Sequence, residues 1–137
     1  MAPRRLFTLE EARALVPALR PRLREMARIR ERLLPFRGET ERLAGSAQRG
    51  GGTFPSAGEY FRHVQALNGH LGFLRESGAE LKDLATGLVD FPSLRQGRVV
   101  YLCWRMEEET VSHWHEIEAG FAGRKPIESP RAGPPEG

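Results

Sequence analysis

Two histidines that flank a single tryptophan, His113 and His115, are the side chains of this sequence best suited to bind a metal. If residues 111–115 form a strand, alternation places both imidazoles on one face of a sheet. Cys103 or Asp90 then completes a site for Zn²⁺ or a similar divalent transition metal, provided that it faces the same side. On a helix the two histidines would point in different directions, so the metal hypothesis requires a strand.

The same residues also fit a purely structural role. In that interpretation His115 is hydrogen-bonded to a carboxylate in the core, His113 is exposed, and Cys103 is a small buried hydrophobic residue. The sequence contains no Cys-x-x-Cys and no His-Glu-x-x-His, so no complete metal motif decides between the two interpretations. The apolar neighbours Leu102 and Trp104 favour an inert thiol over a thiolate nucleophile paired with a histidine.

A second group contains the residue types used in general acid–base catalysis or in metal-assisted phosphodiester hydrolysis: Lys82, Asp83, Asp90 and His115. Asp90 lies between two apolar residues, where an ionised side chain that faced inward would need a partner. The structural alternative has both aspartates in turns and Lys82 on an exposed edge. This group supports a metal-dependent hydrolase as the alternative function.

Arginines dominate the basic residues of the N-terminal segment. Arg20, Arg24 and Arg28 follow one another at intervals of four residues, with Arg13 nearby. On a helix such like charges repel one another, and a polyanion would neutralise them through phosphate contacts. Acidic groups of a partner protein would do the same, and a solvated face is the third interpretation. No aromatic residues interleave with these arginines, so stacking of single-stranded nucleic acid is not indicated.

Length and composition suit one small domain of 137 residues. The hydrophobic share of 39% and the charged share of 28% exclude a wholly disordered chain. No apolar run approaches the roughly 20 residues that cross a bilayer, and the first residues do not resemble a signal peptide. The single cysteine cannot form an internal disulfide, which favours a reduced, cytoplasmic location without membrane association.

The N-terminal part predicts a long amphipathic helix over residues 8–34. Thr8 and Glu11 have the spacing of a capping box, and apolar residues then recur at intervals of three and four. This heptad-like stripe, typical of a helix that packs lengthwise against another, is interrupted only at Arg30 and is formed by Leu9, Ala12, Val16, Leu19, Leu23, Met26 and Leu33. Pro17 and Pro21 lie off the stripe, so we favour one bent helix over two shorter ones.

A second helix repeats this spacing of apolar residues over residues 60–74 and ends at Gly78. Between the helices, residues 44–55 are rich in glycine and predict a flexible connector. Two apolar stripes joined by a connector predict an antiparallel, coiled-coil-like helical hairpin over residues 1–78. The same stripes also fit pairing between two chains, and the sequence leaves this open.

From residue 79 onward the pattern changes to short strands. The candidates are 80–83, 88–91, 99–106 and 111–115, and a hairpin loop at 94–98 places Gly97 where positive φ is needed. They predict a small antiparallel sheet of three or four strands within residues 79–123, packed on the base of the hairpin. Residues 124–137 contain four prolines and predict a disordered tail. The predicted fold is therefore a single α+β domain over residues 1–127.

Several short segments occur together in one order: Phe7-Thr-Leu-Glu-Glu-Ala12, Leu15-Val-Pro-Ala-Leu-Arg-Pro21, Glu80-Leu-Lys-Asp83, Gly87-Leu-Val-Asp-Phe-Pro92, Val100-Tyr-Leu-Cys-Trp-Arg105, Trp114-His115 and Gly120-Phe-Ala-Gly-Arg124. Over residues 6–127 the chain thereby resembles the bacterial family known as domain of unknown function 2203. The resemblance implies a bacterial, cytoplasmic, single-domain protein without an established activity. It also implies that Trp114-His115 is a shared element and that position 113 is variable.

These patterns predict a non-catalytic binding or assembly protein whose helical hairpin contacts a second copy or another protein. The basis is the pair of helical stripes together with the absence of any complete catalytic motif. A metal-dependent hydrolase acting through Asp90, His115 and Cys103 is the alternative. Nucleic-acid binding through Arg13, Arg20, Arg24 and Arg28 is a second alternative. A divalent transition metal such as Zn²⁺ is the one cofactor that the residues suggest.

Overall fold

A computed structural model describes residues 5–37 and 57–127. Two α-helices precede an antiparallel sheet of five strands, so the fold belongs to the α+β class. The elements are α1 (Leu9–Leu33), α2 (Ala57–Ser77), β1 (Glu80–Asp83), β2 (Leu88–Arg95), β3 (Arg98–Arg105), β4 (His113–Glu116) and β5 (Lys125–Pro126), with short 3-10 helices at Leu34–Phe36 and Phe121–Gly123. No helix within these ranges is long and apolar enough to span a membrane. The predicted connector at 44–55 lies outside the described residues.

Helix α1 begins at the predicted capping box. The backbone N–H of Glu11 donates to the Thr8 hydroxyl at 3.0 Å, and the Thr8 N–H donates to the Glu11 carboxylate at 2.9 Å. The helix continues without interruption through Pro17 and Pro21. Both prolines are exposed, so water can bind the carbonyl groups that lose their intrahelical partners. The prediction of one helix rather than two is confirmed.

The sheet is a meander in which strands adjacent in sequence also pair with each other. Strands β2 and β3 are joined by Gln96 and Gly97, whose φ values of 52° and 81° suit a two-residue hairpin turn. The predicted positive φ at Gly97 is confirmed. The predicted five-residue loop is too long, because Arg95 already pairs with Arg98 in the ladder.

The prediction of three or four strands is wrong, because β5 adds a fifth strand beside β4. The N–H of Ile127 also donates to the carbonyl of Ser112 at 2.9 Å. These contacts lie within the predicted disordered tail, so the tail does not begin at residue 124. Proline content suggested disorder there, but Pro126 ends an edge strand, where no ladder N–H is required. Residues 128–137 lie outside the described part of the chain.

The core lies between α1 and the sheet. Helix α1 buries one face, composed of Ala12, Val16, Leu19, Leu23, Met26 and Ile29. In the same cluster, the strands contribute Val89, Phe91, Val100, Leu102, Trp104 and Trp114. In α2, among described residues, Leu74 alone is fully buried, and the rest of the predicted stripe is half-buried. The apolar stripe of α1 therefore shares one core with the sheet, and α1 also contacts α2.

Candidate functional site

The face of the sheet turned away from the helices, here called the second face, carries most of the predicted site residues. In β3, Leu102 and Trp104 belong to the helix-facing core, so Tyr101 and Cys103 project from the opposite side. Asp90 of β2 pairs directly with Cys103, and His115 of β4 pairs with Tyr101. The strand predicted at 111–115 is present as β4, but it begins two residues later, at His113, and ends at Glu116.

Asp90, Cys103 and His115 converge on the second face. One potential ligand atom from each residue, an oxygen, a sulfur and a nitrogen, lies within 4.8 Å of the other two. His115 Nε2 is 3.1 Å from Asp90 Oδ2. The exposed fractions of the three residues are 3%, 0% and 2%. Three polar side chains of metal-ligand type are therefore gathered in an interior position, where each needs a partner.

The tautomer of His115 follows from its backbone contact. Nδ1 lies 2.7 Å from the carbonyl oxygen of Glu116, and a carbonyl can only accept, so Nδ1 carries the proton. Nε2 then faces Asp90 with its lone pair or shares a second proton with it. Burial raises the pKa of Asp90, and the nearby positive charge on His115 opposes that rise.

The Asp90 carboxylate is only partly satisfied. Oδ2 contacts His115, whereas Oδ1 is buried and has no hydrogen-bond partner among the described residues. Burial raises the pKa of Cys103 to about 12, and the charge of Asp90 adds to the effect. Cys103 is therefore a neutral thiol at physiological pH rather than a thiolate.

His113 does not join this cluster. It shares the face of Cys103 by register, but its Nδ1 turns toward the Ser112 hydroxyl at 3.1 Å and the Glu108 carboxylate at 3.7 Å. The sequence paired His113 with His115 as metal ligands, but the structure brings only His115 together with Asp90 and Cys103 among the described residues. The cause is the loop that precedes β4, which brings a carboxylate to the outer side of the imidazole.

Lys82 and Asp83, the other residues of the predicted acid–base group, lie at the edge of the cluster. Lys82 Nζ is 2.9 Å from Glu80, and its ammonium lies 4.7 Å from the centre of the Tyr101 ring. The Tyr101 hydroxyl donates to the same Glu80 carboxylate at 2.8 Å. Asp83 instead accepts a hydrogen bond of 2.7 Å from Thr86 in the following turn.

Several residues near the site were missed at the sequence level. Arg124 donates to the Glu108 carboxylate at 2.7 Å and to the carbonyl of Cys103 at 3.3 Å. Its guanidinium and that of Arg105 lie 4.8 Å and 5.1 Å from the centre of the Phe121 ring. Alternation in β3 already placed Arg105 on the Cys103 face. No local pattern predicts that residues 121–124 contact Arg105, because the segment after β4 must first fold back against β3.

Two adjoining pockets lie on the second face and share Leu88 and Phe121. The Arg105 pocket has a volume of about 230 Å³ and is also lined by Asp83, Thr86 and Arg105. The His115 pocket has a volume of about 190 Å³ and is also lined by Lys82, Asp90, Tyr101, His115, Ile117 and Gly120. Polar groups thus lie at the bottom and edges of a groove whose shared wall is apolar.

The arginines of α1 divide into two kinds. Arg13 donates to the carbonyl of Val111 at 2.9 Å. Arg20 donates to the carbonyls of Met106, Glu108 and Glu109. Arg24 is exposed, and Arg28 is exposed and pairs with Glu25 at 3.0 Å. Two of the four predicted polyanion contacts therefore bind backbone carbonyl groups of the same chain.

Comparison with known proteins yields one relationship. Neither the curated proteins nor the solved structures contain a match to this chain. The model of one protein family, described as "Uncharacterized conserved protein (DUF2203)", matches residues 5–127. The match includes α1, α2, all five strands and the Asp90, Cys103 and His115 cluster. The chain therefore belongs to the DUF2203 family.

Proposed function

We propose that this protein is a non-catalytic binding protein that holds a small organic anion in the groove on the second face of its sheet. The observation that carries the proposal is the pair of adjoining pockets that share the apolar residues Leu88 and Phe121. Together they reach the size of sites that bind small organic molecules, roughly 300–1,000 Å³. Such sites combine apolar walls with a few fixed polar groups, as this groove does.

Arg105 supports an anionic ligand. Of the cations around the groove, Lys82 pairs with Glu80 and Arg124 pairs with Glu108. Arg105 lines its pocket, and its buried Nε has no acceptor. The Phe121 ring beside its guanidinium restricts the orientation of the planar group. A carboxylate matches this planar donor arrangement better than a neutral group does.

The apolar part of the ligand would cover exposed hydrophobic surface. Phe121 is 43% exposed and Ile117 is 40% exposed, and both line the groove. A ligand with an apolar body and one carboxylate would bury these side chains while its charged end reaches Arg105.

The site chemistry supports binding rather than turnover. Both ring nitrogens of His115 are engaged, and the Cys103 thiol is protonated at neutral pH. Neither residue is therefore an activated nucleophile or a free general base. The proposal therefore gives neither residue a role as nucleophile or general base. Nucleic-acid binding is left out, because Arg13 and Arg20 are occupied by backbone carbonyls.

The binding proposal is tested with matched pairs of small molecules. Benzoate and hexanoate are titrated beside benzamide and hexanamide, with binding followed by protein NMR shifts. We expect each carboxylate to bind about tenfold or more tightly than its amide, because the amide lacks the charge-assisted contact. Arg105→Gln removes this preference, whereas Arg75→Gln, at an exposed position on α2, leaves it intact. Equal affinity for acid and amide, or unchanged preference in R105Q, contradicts the proposal.

Self-association is a second proposal, with α2 rather than the hairpin as the contact surface. The apolar face of α1 is buried in the core, whereas most of the apolar stripe of α2 is half-buried and Phe61 of α2 is 61% exposed. A second copy of this chain packed on Phe61 would bury that ring. Light scattering at increasing protein concentration tests this idea. We expect a dimer that Phe61→Ser dissociates, and a monomer at every concentration would contradict it.

A further inference from the structure

We propose that Asp90, Cys103 and His115 together bind one divalent transition-metal ion, and that their donor set favours Zn²⁺. This site goes beyond the binding of an organic anion and does not depend on it. The geometric basis is the convergence of one oxygen, one sulfur and one nitrogen within 4.8 Å of one another. Histidine nitrogen, carboxylate oxygen and cysteine sulfur are the donor types that bind Zn²⁺ in proteins.

The imidazole of His115 is already oriented as a ligand. Its Nδ1–H donates to the Glu116 carbonyl at 2.7 Å, which leaves Nε2 as the nitrogen that faces the cluster. In protein metal sites the non-ligating ring nitrogen of histidine usually donates to such a carbonyl or carboxylate. The backbone of β4 therefore supplies the contact that fixes both tautomer and ring direction.

The unpartnered oxygen of Asp90 is an independent indication of a ligand. The Asp90 side chain is only 4% exposed, and Oδ1 has no hydrogen-bond partner among the described residues. A buried carboxylate oxygen without a donor is uncommon in folded proteins. A metal ion within the cluster would satisfy Asp90 without any change in the register of β2.

Charge balance fits the buried position. When the ion binds, the S–H bond of Cys103 breaks, sulfur keeps the electron pair, and the proton leaves to solvent. Any proton shared between Asp90 and His115 leaves in the same way. One thiolate, one carboxylate and one neutral imidazole then neutralise a charge of +2. A neutral centre is far less costly to bury than an isolated ion.

The fourth coordination position would lie toward the His115 pocket. Asp90 and His115 both line that pocket, whose volume of about 190 Å³ accommodates a water molecule or a donor atom of a ligand. Three protein ligands with one open position form the arrangement found where zinc also contacts water or substrate. The pocket therefore gives the ion an exchangeable position.

Metal binding is measured first on the wild-type chain, which is unfolded, stripped with chelator and refolded with Zn²⁺. We expect one zinc ion per chain after gel filtration, measured by elemental analysis. Refolding with Co²⁺ gives a second readout, because a thiolate ligand produces a sulfur-to-cobalt charge-transfer band in the near-ultraviolet. Refolded protein that holds no stoichiometric zinc and shows no such band would overturn the proposal.

Variants then identify the ligands. Cys103→Ser and His115→Asn should each weaken zinc binding on the order of 100-fold or more. Substitution of a residue that only hydrogen-bonds to a metal ligand already costs about 10–100-fold in affinity, so loss of a ligand should cost at least as much. His113→Asn is the matched control, because His113 lies on the same strand and faces Glu108 instead. Its affinity should equal that of the wild type. Unchanged affinity in C103S, or an equal loss in H113N, would overturn the assigned ligand set. If C103S fails to fold, the cobalt band of the wild type still decides whether sulfur is a ligand.

Discussion

Arg20 of α1 donates to the carbonyl oxygen of Glu108 at 2.9 Å, across 88 residues of sequence. The same carbonyl accepts a bond of 3.0 Å from the indole N–H of Trp104. Arg20 also donates to the carbonyls of Met106 and Glu109, so one side chain satisfies three backbone carbonyl groups of the loop between β3 and β4. This contact holds the loop that carries Glu108 against α1.

Replacement of Arg20 tests this structural role. Arg20→Met should lower the free energy of unfolding by about 3 kcal/mol, because it removes charge-assisted bonds and leaves carbonyls without donors. Arg24→Met, one turn further along α1 at an exposed position, should change it by less than about 0.5 kcal/mol. Urea unfolding monitored by circular dichroism gives both values. Equal effects of the two substitutions would show that Arg20 contributes no more than a surface charge.

Two glycines with positive φ provide a comparison of backbone strain with steric overlap. At Gly97 (φ +81°) a methyl group would meet open space, so Gly97→Ala should cost about 1 kcal/mol from backbone strain alone. At Gly87 (φ +66°) the methyl group would lie 2.6 Å from Cγ of Met106. Gly87→Ala should therefore cost about 2–4 kcal/mol. Combination with Met106→Ala should recover only part of the steric cost, because Cβ of Met106 would still lie 2.9 Å from the new methyl group. Thermal melts of the wild type, G97A, G87A and the double variant measure these differences, and equal losses in G97A and G87A would contradict a steric contribution at Gly87.

The pKa of Glu108 predicts a pH dependence. Burial alone would raise this pKa, but the hydrogen bonds from Arg124 and from the Arg105 backbone, with the Arg124 charge, lower it below the ordinary value of 4.5. Stability from this carboxylate is therefore present above pH 4.5 and is lost as the pH falls through the lower folded-state pKa. Glu108→Gln should be less stable than wild type at pH 7, and the gap should narrow below pH 4.5.

Urea midpoints measured from pH 7 to pH 3.5 check this expectation for Glu108→Gln. Glu107→Gln is the control, because Glu107 is exposed in the same loop. A stability gap for E108Q that stays constant over the whole range would contradict the lowered pKa.

The thiol of Cys103 should be unreactive in the folded protein. It is fully buried, and its pKa near 12 leaves very little thiolate at pH 8. In the presence of a chelator, a disulfide reagent should label native protein on the order of 100-fold or more slowly than protein unfolded in guanidinium. Similar rates in the two states would mean that β3 opens readily in the folded protein. The sheet face that forms the groove would then not be rigid.

Local patterns predicted much of this fold. The capping box at Thr8 and Glu11 predicts the start of α1, and the apolar periodicity predicts its buried face, because both depend on residues within a few positions. Alternation within β4 predicts that His113 and His115 share a face, but only the register of β4 against β3 brings that face to the side of Cys103. The number of strands was not predictable, since the two residues of β5 have no pattern apart from the strand they pair with.

The sequence by itself determined the types of element and the side of each strand on which a residue lies, because backbone geometry sets those periods. Only the tertiary structure decided which neighbours each side chain meets. It brought Asp90 to His115 across β3, turned His113 toward Glu108, and used Arg20 to bind a loop rather than a polyanion. These contacts depend on the register between neighbouring strands and on the path of the connecting loops. Long-range packing of apolar surfaces sets both, rather than local conformational preference.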